Sequence, residues 1–377
     1  MKLLFAIKRL NGAIGGAERV MCTICSALVE RGHDVTVVTF DHPNGEAFYS
    51  LDTRIKRIDL GIGDSSKRAG LWETLRRVFA LRRTIIAEQP EVVVGFMHSM
   101  FVPLGFAMMG SGIPVVASEH IVPAHYRRRP LQFGLLMLSS WCLSKITVLS
   151  EAIRVSYPSM VARKMVVMPN PVMRADGRAN PAELKQQYVL LNIGRMDAQK
   201  DQSTLIRAFS RLANKYPEWH LRIIGEGELR PQLTQLIMQL GLQKRIEMPG
   251  VTDKISSEYC AADIFVISSR YEAFGLVTAE AMSYGLPVVG FADCPGTNEL
   301  ILNNECGMLI QAGEDRAAAL ANGLESLMQD ADQREKLGVQ GIQSIDQRYA
   351  ISRVCDQWES LLAAVVVKPP IADGARR

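Results

Sequence analysis

Several patterns that identify whole classes of protein are missing from this chain of 377 residues. Its 7 cysteines are an odd number, and the one C-x-x-C, Cys22 and Cys25, lies in an apolar helical pattern with no second pair at a zinc-ligand spacing. The one D-x-D, Asp330 to Asp332, lies in a polar helical region away from any strand end. No Ser-His-Asp arrangement and no lysine in a pyridoxal-phosphate context can be assigned. We therefore expect core packing for the two cysteines, a reducing compartment and no bound metal.

Membrane spans and nucleic-acid motifs are also missing. The apolar run at residues 2–7 is too short for a signal peptide. The apolar stretch 101–116 is broken by Pro and Gly, and the stretch 131–143 is shorter than the roughly 20 residues that cross a bilayer. No recognisable nucleic-acid motif accompanies the basic residues. We expect a cytoplasmic protein, at most peripheral on the inner face of the cytoplasmic membrane, with no nucleic-acid partner.

Excess positive charge is confined to one half of the chain. Lys and Arg outnumber Asp and Glu in residues 1–172, whereas acids outnumber bases in residues 173–377. Basic pairs and a triplet occur among Leu, Phe and Trp in predicted helices of the first half: Lys67-Arg68, Arg76-Arg77, Arg82-Arg83 and Arg127-Arg128-Arg129. This mixture favours an anionic membrane surface as a partner over nucleic acid. Solvated faces of ordinary helices are the alternative.

Short apolar runs alternate with helical patterns along the whole chain, which predicts parallel sheets covered by helices on both faces. In the first half we expect strands near 2–7, 34–40, 55–60, 91–96, 114–119, 145–149 and 164–168. After Asn170-Pro171 the pattern restarts, with strands near 188–194, 219–225, 244–248, 263–269, 287–291 and 306–310. The predicted fold is α/β, with two doubly wound Rossmann-like domains that face each other across a cleft.

The domain boundaries follow from that restart. Residues 1–172 are predicted to form the first domain and residues 173–348 the second. A helical pattern at 349–366 contains Trp358 among apolar residues, and we expect it to pack back onto the first domain. Residues 367–377 have the composition of a flexible tail. In the first domain, helices are expected near 17–31, 70–89, 99–110, 127–143 and 151–156.

One stretch of the second domain, residues 265–291, combines the features of a ligand site. It has the pattern of a buried strand, a loop, a helix opened by Gly275 and a second strand. Glu272 precedes that helix and Glu280 lies within it. The free N–H groups of a helix N-terminus attract an anion such as a diphosphate, and carboxylates accept hydrogen bonds from sugar hydroxyls. Taken alone, each acid is also explained as a solvated or helix-stabilising charge.

Two cations and two glycines follow neighbouring strands of the same predicted sheet. Arg195 comes directly after strand 188–194, and Lys200 stands at the start of the next helix, so the pair could clamp a diphosphate. Gly225 and Gly227 end the next strand and would let a base or ribose lie against the backbone. Surface charge is the alternative for Arg195 and Lys200.

In the first domain, Gly15 and Gly16 lie between a strand and a helix, where they would leave N–H groups free for phosphate or a sugar ring. The spacing is not that of G-x-G-x-x-G, and a tight turn alone also explains the glycines. His120 follows strand 114–119 with Ser118 and Glu119 as polar neighbours, so it is a candidate for the cleft. A hydrogen-bonded structural histidine is the alternative for His120.

These residues together resemble the family 4 retaining glycosyltransferases of GT-B fold, over the chain to about residue 365. The resemblance is carried by Gly15-Gly16-Ala-Glu-Arg, by Gly194-Arg195 with Lys200, by Gly225-Glu-Gly227, and above all by the E-x7-E segment Glu272-Ala-Phe-Gly-Leu-Val-Thr-Ala-Glu280. Two departures occur: Asp201 follows Lys200 where the family often has Gly, and Pro295-Gly296 stands where a double glycine is common.

The resemblance implies roles for these positions. Arg195 and Lys200 would bind the donor diphosphate, Glu280 the ribose, and Glu272 the donor sugar near its reacting carbon. Gly15 and Gly16 would border the donor, and His120 would lie near the sugar hydroxyls, which makes Glu272 and His120 the catalytic candidates. The remaining donor-contacting positions would be Gly225, Gly227, Phe274, Gly275 and Leu276.

The expected activity is transfer of a hexose or N-acetylhexosamine from a nucleotide sugar, with UDP as the expected nucleotide, to a polyprenyl-diphosphate-linked saccharide at the cytoplasmic membrane surface. The resemblance further implies retained anomeric configuration, no metal ion or other cofactor, and a place in bacterial surface-glycan synthesis such as lipopolysaccharide or O-antigen. Two alternatives remain open: a sugar-nucleotide epimerase of the same fold, and a non-catalytic sugar-nucleotide-binding assembly subunit.

Overall fold

The computed structural model describes residues 1–12, 15–43, 45–65, 70–126 and 129–366. The chain divides into two compact units, Met1–Pro171 with the segment from Ile351 onward, and Val172–Ala350. The division after Pro171 lies one residue before the predicted one. The predicted tail at 367–377, the pair Lys67-Arg68 and the residues Arg127-Arg128 lie outside the described residues.

Unit 1 is built on one seven-stranded parallel sheet with strand order β3-β2-β1-β4-β5-β6-β7. Its strands are β1 (Lys2–Ala6), β2 (Asp34–Thr39), β3 (Lys56–Asp59), β4 (Val92–Phe96), β5 (Val115–Ser118), β6 (Lys145–Val148) and β7 (Met165–Val167). The central strands are buried on both faces, as their continuous apolar runs predict. Strand β1 pairs with β2 on one side and with β4 on the other, where Leu3 lies opposite Val92 and Ala6 opposite Gly95. The strand order therefore reverses between β1 and β4.

The helices of unit 1 cover both faces of this sheet. They are α1 (Gly16–Glu30), α2 (Leu71–Glu88), α3 (His98–Ala107), α4 (Pro130–Ser139), α5 (Glu151–Ser156) and α6 (Ser159–Ala162). Helix α3 packs against both α2 and α4, so these three lie side by side in one layer. Helix α1 connects β1 to β2, toward the β3 edge of the sheet, whereas α3 and α4 connect strands toward the β7 edge. Because parallel crossovers are right-handed, α1 covers the face opposite to α3 and α4. The two cysteines on α1, Cys22 and Cys25, are buried in this core, and burial raises the pKa of both thiols.

Unit 2 repeats the plan with a six-stranded parallel sheet of order β10-β9-β8-β11-β12-β13. Its strands are β8 (Tyr188–Ile193), β9 (Trp219–Ile224), β10 (Ile246–Gly250), β11 (Ile264–Val266), β12 (Val288–Phe291) and β13 (Met308–Ile310). Its helices are α7 (Gln202–Leu212), α8 (Arg230–Gln239), α9 (Ile255–Ala261), α10 (Leu276–Ser283), α11 (Thr297–Leu300), α12 (Arg316–Gln329) and α13 (Ala331–Arg348). Asp330 of the D-x-D is the N-cap of α13, where its carboxylate accepts the N–H of Gln333 at 2.8 Å.

The last helix, α14 (Ile351–Val366), belongs to unit 1 although it follows unit 2 in the chain. It packs on α1 and β4, and its Trp358 is buried and stacked on Phe96 with ring centroids 6.1 Å apart. Arg31, at the end of α1, donates to Asp356 at 2.7 Å and to Glu359 at 2.6 Å. The predicted return of this helix to the first domain is what the structure shows.

The predicted fold class, two parallel-sheet α/β domains, is confirmed. Two element predictions were wrong in detail. Residues 127–143 do not form one helix, because α4 starts at Pro130 and a 3-10 turn (Ser140–Cys142) replaces its last part. Strand β11 ends at Val266, so Ser268 and Ser269, which were predicted to lie in the strand, already belong to the loop that follows it. Among the described residues, no helix combines the length and apolar character needed to cross a bilayer.

Candidate functional site

The strand order of unit 2 reverses between β8 and β11, and the strongest sequence candidates lie at that point. Leu190 of β8 pairs with Ile264 of β11, and the sheet continues outward from these two strands in opposite directions. The loops that leave the carboxyl ends of such a pair diverge and form a crevice. Arg195 and Lys200 follow β8, and Glu272 follows β11, so the fold brings these loops together.

Lys200 and Glu272 form a direct ion pair at this edge of the sheet. Lys200 Nζ lies 2.6 Å from Glu272 Oε1, and both side chains are largely buried. The Ser269 hydroxyl donates to the same carboxylate oxygen at 2.6 Å. The aliphatic part of the Lys200 side chain passes close to Gly194, the last residue before Arg195. A buried, hydrogen-bonded carboxylate and a buried ammonium are thereby fixed in one place.

Backbone contacts join the β8 loop to the β11 loop. Arg270 N–H donates to the Gln199 carbonyl at 2.8 Å, and the Gln199 side-chain amide donates to the Tyr271 carbonyl at 2.9 Å. The Ser268 hydroxyl donates to the Lys200 carbonyl at 2.8 Å. These bonds hold the two loops in register, so the ion pair between them is set by the backbone as well as by the side chains.

The loop after β12 supports Glu272 from a third side. Glu272 N–H donates to the Pro295 carbonyl at 2.9 Å. Gly296 has φ +81°, and a Cβ there would lie 2.4 Å from the Glu272 carbonyl oxygen. Only glycine allows this approach, because the positive φ and the missing side chain are both required. The Pro295-Gly296 sequence, one of the two departures from the family pattern, therefore still meets the backbone requirement.

The two glycines after β9 have a packing role. Gly225 has φ +135°, and a Cβ there would lie 2.1 Å from the Gly194 carbonyl oxygen. A Cβ on Gly227 would lie 2.3 Å from the Met196 carbonyl oxygen. Both positions therefore allow the β9 loop to lie next to the β8 loop, a requirement that the sequence did not indicate. The predicted contact of these glycines with a base or ribose stays a prediction.

Helix α10 begins beside Glu272. Gly275 is its N-cap with φ 86°, and Thr278 is the first residue whose N–H donates to the Gly275 carbonyl, so the N–H groups of Leu276 and Val277 have no acceptor within the helix. Phe274 is buried and packs edge-on against Tyr349 at 5.2 Å between centroids. Phe274 therefore anchors the loop in the core, while partly exposed Leu276 and its amide stay at the surface of the site.

Thr278, in the first turn of α10, is fully buried, and its hydroxyl oxygen has no hydrogen-bond partner among the described residues. Buried hydroxyls are normally satisfied, so this one marks a place where polar partners are incomplete. It adds an uncommitted donor next to the free amides of the same turn.

Glu280, the second acid of E-x7-E, is held by a residue that the sequence did not point to. The Tyr259 hydroxyl, on α9, lies 3.0 Å from Glu280 Oε2 and 3.2 Å from the Val277 carbonyl oxygen. Glu280 is partly exposed, so its carboxylate is oriented without being enclosed. No sequence signal identified Tyr259, because it lies in a different helix 21 residues before Glu280.

Arg195 is placed in the site region but is not part of the ion pair. Its side chain is 75% exposed, and its nearest carboxylate is Asp197 at 3.2 Å. Its backbone is fixed, because the Gln202 amide donates to the Arg195 carbonyl at 2.9 Å. A fixed backbone with an exposed guanidinium suits contact with an anion that arrives from solvent.

In unit 1, Gly15 is the N-cap of α1 and Gly16 its first residue. The Glu18 carboxylate folds back over this end, since a Cβ on Gly15 would lie 2.1 Å from Glu18 Oε2. The segment immediately before, Ala13 and Ile14, lies outside the described residues.

His120 lies just after β5, stacked on Phe96 with centroids 5.1 Å apart. One ring nitrogen, Nε2, is 2.9 Å from the Ser118 hydroxyl oxygen, which also accepts from Thr147 at 3.0 Å. Burial lowers the pKa of His120 to about 4, so the imidazole is neutral near pH 7. His120 can therefore act there as a hydrogen-bonding group but not as a cation.

Glu119, the other predicted polar neighbour of His120, interacts with the His120 backbone, whereas the ring is held by Ser118. Its carboxylate accepts the Tyr126 hydroxyl at 2.7 Å and the Ile121 N–H at 3.0 Å, and it is almost fully buried. Burial raises the pKa of Glu119 to about 7. The carboxyl instead fixes the segment 119–126, on which His120 is carried. The sequence did not indicate the hydrogen bond between Glu119 and Tyr126.

Comparisons with known proteins identify the class of protein to which the chain belongs. Residues 14–174 fit the family model described as Glycosyltransferase Family 4, and residues 174–344 fit the one described as Glycosyl transferases group 1. The chain is a glycosyltransferase with a Family 4 domain followed by a group 1 domain. No group of three or more His, Cys, Asp or Glu placed to hold a metal ion occurs in the described part of this glycosyltransferase.

Individual relatives match most of the chain. The glycosyltransferase is 26% identical over 370 residues to the GalNAc-alpha-(1->4)-GalNAc-alpha-(1->3)-diNAcBac-PP-undecaprenol alpha-1,4-N-acetyl-D-galactosaminyltransferase of Campylobacter jejuni, which covers 97% of this chain and 99% of that protein. It is 26% identical to the amylovoran biosynthesis glycosyltransferase AmsD of Erwinia amylovora, over 80% of this chain and 83% of AmsD. Anabaena HepE in complex with UDP and glucose has the same fold, with a TM-score of 0.77 at 20% identity over 97% of this chain and 100% of HepE.

Proposed function

We propose that this glycosyltransferase moves a hexose or N-acetylhexosamine from UDP to a polyprenyl-diphosphate-linked saccharide in bacterial surface-glycan synthesis, with retained anomeric configuration. The observation that carries the proposal is the ion pair between Lys200 and Glu272 beside the N-terminus of α10. Cation, carboxylate and free amides in one crevice meet the needs of a sugar diphosphate, which has an anionic end and a hydroxyl-rich end.

The chemistry assigned to these groups follows the movement of charge. The bond between the sugar carbon C1 and the diphosphate oxygen breaks, so negative charge grows on the leaving diphosphate and positive charge on the sugar. Lys200, Arg195 and the first amides of α10 stabilise the diphosphate, and Glu272 stabilises the sugar. These groups neutralise the leaving diphosphate, and we propose that the transfer needs no metal ion.

Retention is explained by attack from the same face. The acceptor hydroxyl oxygen bonds to C1 on the face that the diphosphate leaves, and the leaving phosphate oxygen takes the acceptor proton. A double displacement would need a carboxylate on the opposite face of the sugar, and none is identified among the described candidates. A glycosyl-enzyme adduct trapped with a slow donor analogue would contradict this step.

The remaining donor contacts are proposed from the same family resemblance. Glu280, oriented by Tyr259, binds the ribose hydroxyls, and Gly225 and Gly227 lie along the nucleotide. From unit 1, Gly15 and Gly16 border the donor, and His120, as a neutral imidazole, hydrogen-bonds a sugar hydroxyl.

The donor and acceptor classes rest on the relatives. The Campylobacter jejuni protein is named for an undecaprenol-diphosphate-linked acceptor, and HepE binds UDP and glucose in its crystal structure. A lipid-linked acceptor places the enzyme at a membrane, and we propose a peripheral position on the inner face of the cytoplasmic membrane.

A donor and acceptor screen tests the proposal. UDP- and GDP-sugars are incubated with a mixture of polyprenyl-diphosphate-linked saccharides, the product mass identifies the sugar, and NMR of the product gives the anomeric configuration. We expect transfer from a UDP-sugar that is lost in Glu272→Ala. Conversion of the donor without any acceptor would indicate an epimerase, and an unchanged cellular glycan in Lys200→Ala and Glu272→Ala cells would indicate a non-catalytic subunit.

A further inference from the structure

Helix α2 of unit 1 presents an unusual face to solvent. Large apolar and cationic side chains recur along it at spacings of three and four residues, which puts them within about 120° of one another around the helix axis. This outer stripe of α2 consists of Trp72, Leu75, Arg76, Phe79, Arg83 and Ile86, all exposed. Trp72 is 80% exposed and Phe79 70%. A helix on an ordinary water-facing surface turns such side chains toward the core, as α2 does separately with Leu81 and Ile85.

The charged side chains within the outer stripe of α2 are all cationic. Arg76 and Arg83 lie in the stripe, and no carboxylate of the described residues pairs with either. The two acids of the helix are engaged elsewhere: Glu73 pairs with Arg77 at 2.6 Å, and Glu88 with Lys56 at 2.7 Å. The stripe is therefore apolar and cationic along its whole length.

Helix α4 presents a second stripe in the same layer of unit 1. Its exposed side chains, with that of the 3-10 turn that follows, are Leu131, Leu135, Leu138 and Trp141. Leu131 is 76% exposed and Trp141 72%. Helix α3 packs against both α2 and α4 and therefore lies between the two stripes. Arg82 of α2 donates hydrogen bonds to the Ala107 and Met109 carbonyls at the end of α3, at 2.7 and 2.9 Å. The side chain of Met109 is exposed.

Together the two stripes form one docking face, defined by the outer stripe of α2, the outer stripe of α4 and Met109. Exposed apolar surface on this scale marks an interaction site. Side chains of Trp, Phe and Leu enter the boundary between headgroups and acyl chains, while Arg binds lipid phosphate. The combination of apolar side chains with outward cations and no outward acid complements an anionic bilayer.

We propose that this docking face seats unit 1 on a bilayer of anionic phospholipid. The inference rests on the proposed function, because a polyprenyl-linked acceptor is held in a membrane. It adds which side chains meet the lipid: Trp72, Phe79 and Trp141 enter the interface, and Arg76 and Arg83 contact phosphates.

The tryptophans provide a direct readout. The chain has 4 tryptophans, of which Trp219 and Trp358 are each 1% exposed and Trp72 and Trp141 belong to the docking face. Adding vesicles of phosphatidylcholine with about one third phosphatidylglycerol should shift the emission to the blue and expose it to quenching by brominated acyl chains. Trp72→Phe and Trp141→Phe should each remove part of that signal.

Vesicle flotation measures the binding itself. We expect the protein to bind anionic vesicles at least tenfold more tightly than phosphatidylcholine alone. Arg76→Gln with Arg83→Gln should weaken anionic binding about tenfold or more, and Trp72→Ser with Phe79→Ser should weaken it at least as much. Leu184→Ser is the matched control, since Leu184 is 88% exposed in unit 2, and it should float like the wild type.

The outcomes separate this inference from the proposed function. If the protein does not bind anionic vesicles, and sedimentation instead shows a dimer that Leu131→Ser with Leu138→Ser dissociates, the docking face joins two copies and the inference is wrong. If the protein does not float with anionic vesicles but still transfers sugar to a detergent-dispersed acceptor, the docking-face inference is wrong and the proposed function stands. Vesicle binding with no transfer from any donor would overturn the proposed function and leave the docking face standing.

Discussion

Lys200 and Glu272 each depend on the other at the scale of single residues. Replacing Lys200 by Ala leaves the buried Glu272 carboxylate with the Ser269 hydroxyl as its remaining side-chain partner among the described residues. We expect Lys200→Ala to lower the transfer rate by about 10²–10³, the usual loss when one stabilising donor is removed. The free energy of unfolding should fall by about 1–3 kcal/mol, because a buried charge loses its partner. Steady-state kinetics and urea unfolding measure the two effects.

Arg195→Ala should separate function from stability. The guanidinium is 75% exposed and its one ion pair, to Asp197, is at the surface, so the unfolding free energy should change by less than about 0.5 kcal/mol. The KM for the donor should rise, since a cation for the diphosphate is lost. A variant with normal donor kinetics would remove Arg195 from the proposed site.

Glu119 should make the stability of unit 1 depend on pH. Its pKa is about 7 in the folded chain against an ordinary value of 4.5, so the folded state binds an extra proton between these values. Stability should therefore fall as pH rises from about 4.5 to about 7 and stay constant above, by about 2–4 kcal/mol in total. Glu119→Gln does not titrate. Its carbonyl oxygen can still accept the Ile121 N–H, while its NH2 group can donate to the Tyr126 hydroxyl oxygen.

The difference in unfolding free energy between wild type and Glu119→Gln, measured from pH 4.5 to 8, isolates this effect. The histidines with lowered pKa, His98, His120 and His125, act in the opposite direction, because each contributes stability that increases as pH rises toward its ordinary pKa of 6.5. They are present in both proteins and cancel. Parallel curves for the two proteins would show that Glu119 is not the titrating group.

Among single residues, the sequence was most informative about charged side chains that follow the carboxyl end of a strand. Lys200 and Glu272 were predicted to share a site, and the structure joins them. Tyr259 and the role of Glu119 were not predictable, because each depends on a bond between elements whose relative placement the sequence does not show. The donor-binding roles of Arg195, Glu280 and His120 stay predictions.

At the scale of elements, the site depends on loops that pack so closely that a side chain does not fit between them. Gly296→Ala should move the loop that carries Glu272, because the added Cβ meets the Glu272 carbonyl oxygen. We expect a loss of about 2–4 kcal/mol of stability from strain and overpacking together, with at least a tenfold loss of transfer. Thermal unfolding and kinetics check both.

Gly241→Ala is the matched control for that prediction. Gly241 also has a positive φ, +69°, but a Cβ there meets nothing within 4 Å. It should cost only the backbone strain, about 1–2 kcal/mol, and leave the transfer rate unchanged. Equal effects of the two substitutions on transfer would mean that the approach to Glu272 has no functional weight.

The elements themselves were largely predictable because buried parallel strands read as continuous apolar runs. The errors have a common cause in local polar bonding. Ser268 and Ser269 look like the end of an apolar strand, but their hydroxyls bond to the Lys200 carbonyl and the Glu272 carboxylate in the loop. At 127–143 the apolar pattern hid a change from α-helix to a 3-10 turn, in which Ser140 donates to the Met137 carbonyl.

At the scale of the whole molecule, each unit has its own sheet and core, and Trp358 belongs to the core of unit 1. Trp358→Ala should destabilise unit 1 by about 3–5 kcal/mol, because a fully buried aromatic side chain stacked on Phe96 is removed. Hydrogen exchange should quicken in β1, β4 and α1 and stay unchanged in β8 and β9.

Trp358→Phe is the control for this change. It keeps an aromatic ring against Phe96 and removes an indole N–H that has no partner among the described residues, so its cost should be smaller. Uniformly faster exchange in both sheets of Trp358→Ala would show that the two units unfold together.

The two-unit organisation was predictable because the strand and helix pattern starts again after Pro171. The return of α14 was predictable from Trp358 alone, since a tryptophan within an amphipathic terminal helix needs a core to enter. Which strands it covers was not, because the order of strands in the sheet arises from pairing between distant segments.

The position of α14 sets an order on biosynthesis. A ribosome makes the strands of unit 1 first, yet Trp358, which covers Phe96 and Phe5, is added only after the whole of unit 2. At about 5–20 residues per second, the nascent chain carries that uncovered patch for roughly 10–40 s. The continuous segment Val172–Ala350 can finish folding before the earlier-made half does, so premature release of the polypeptide would leave the first sheet as the aggregation-prone part.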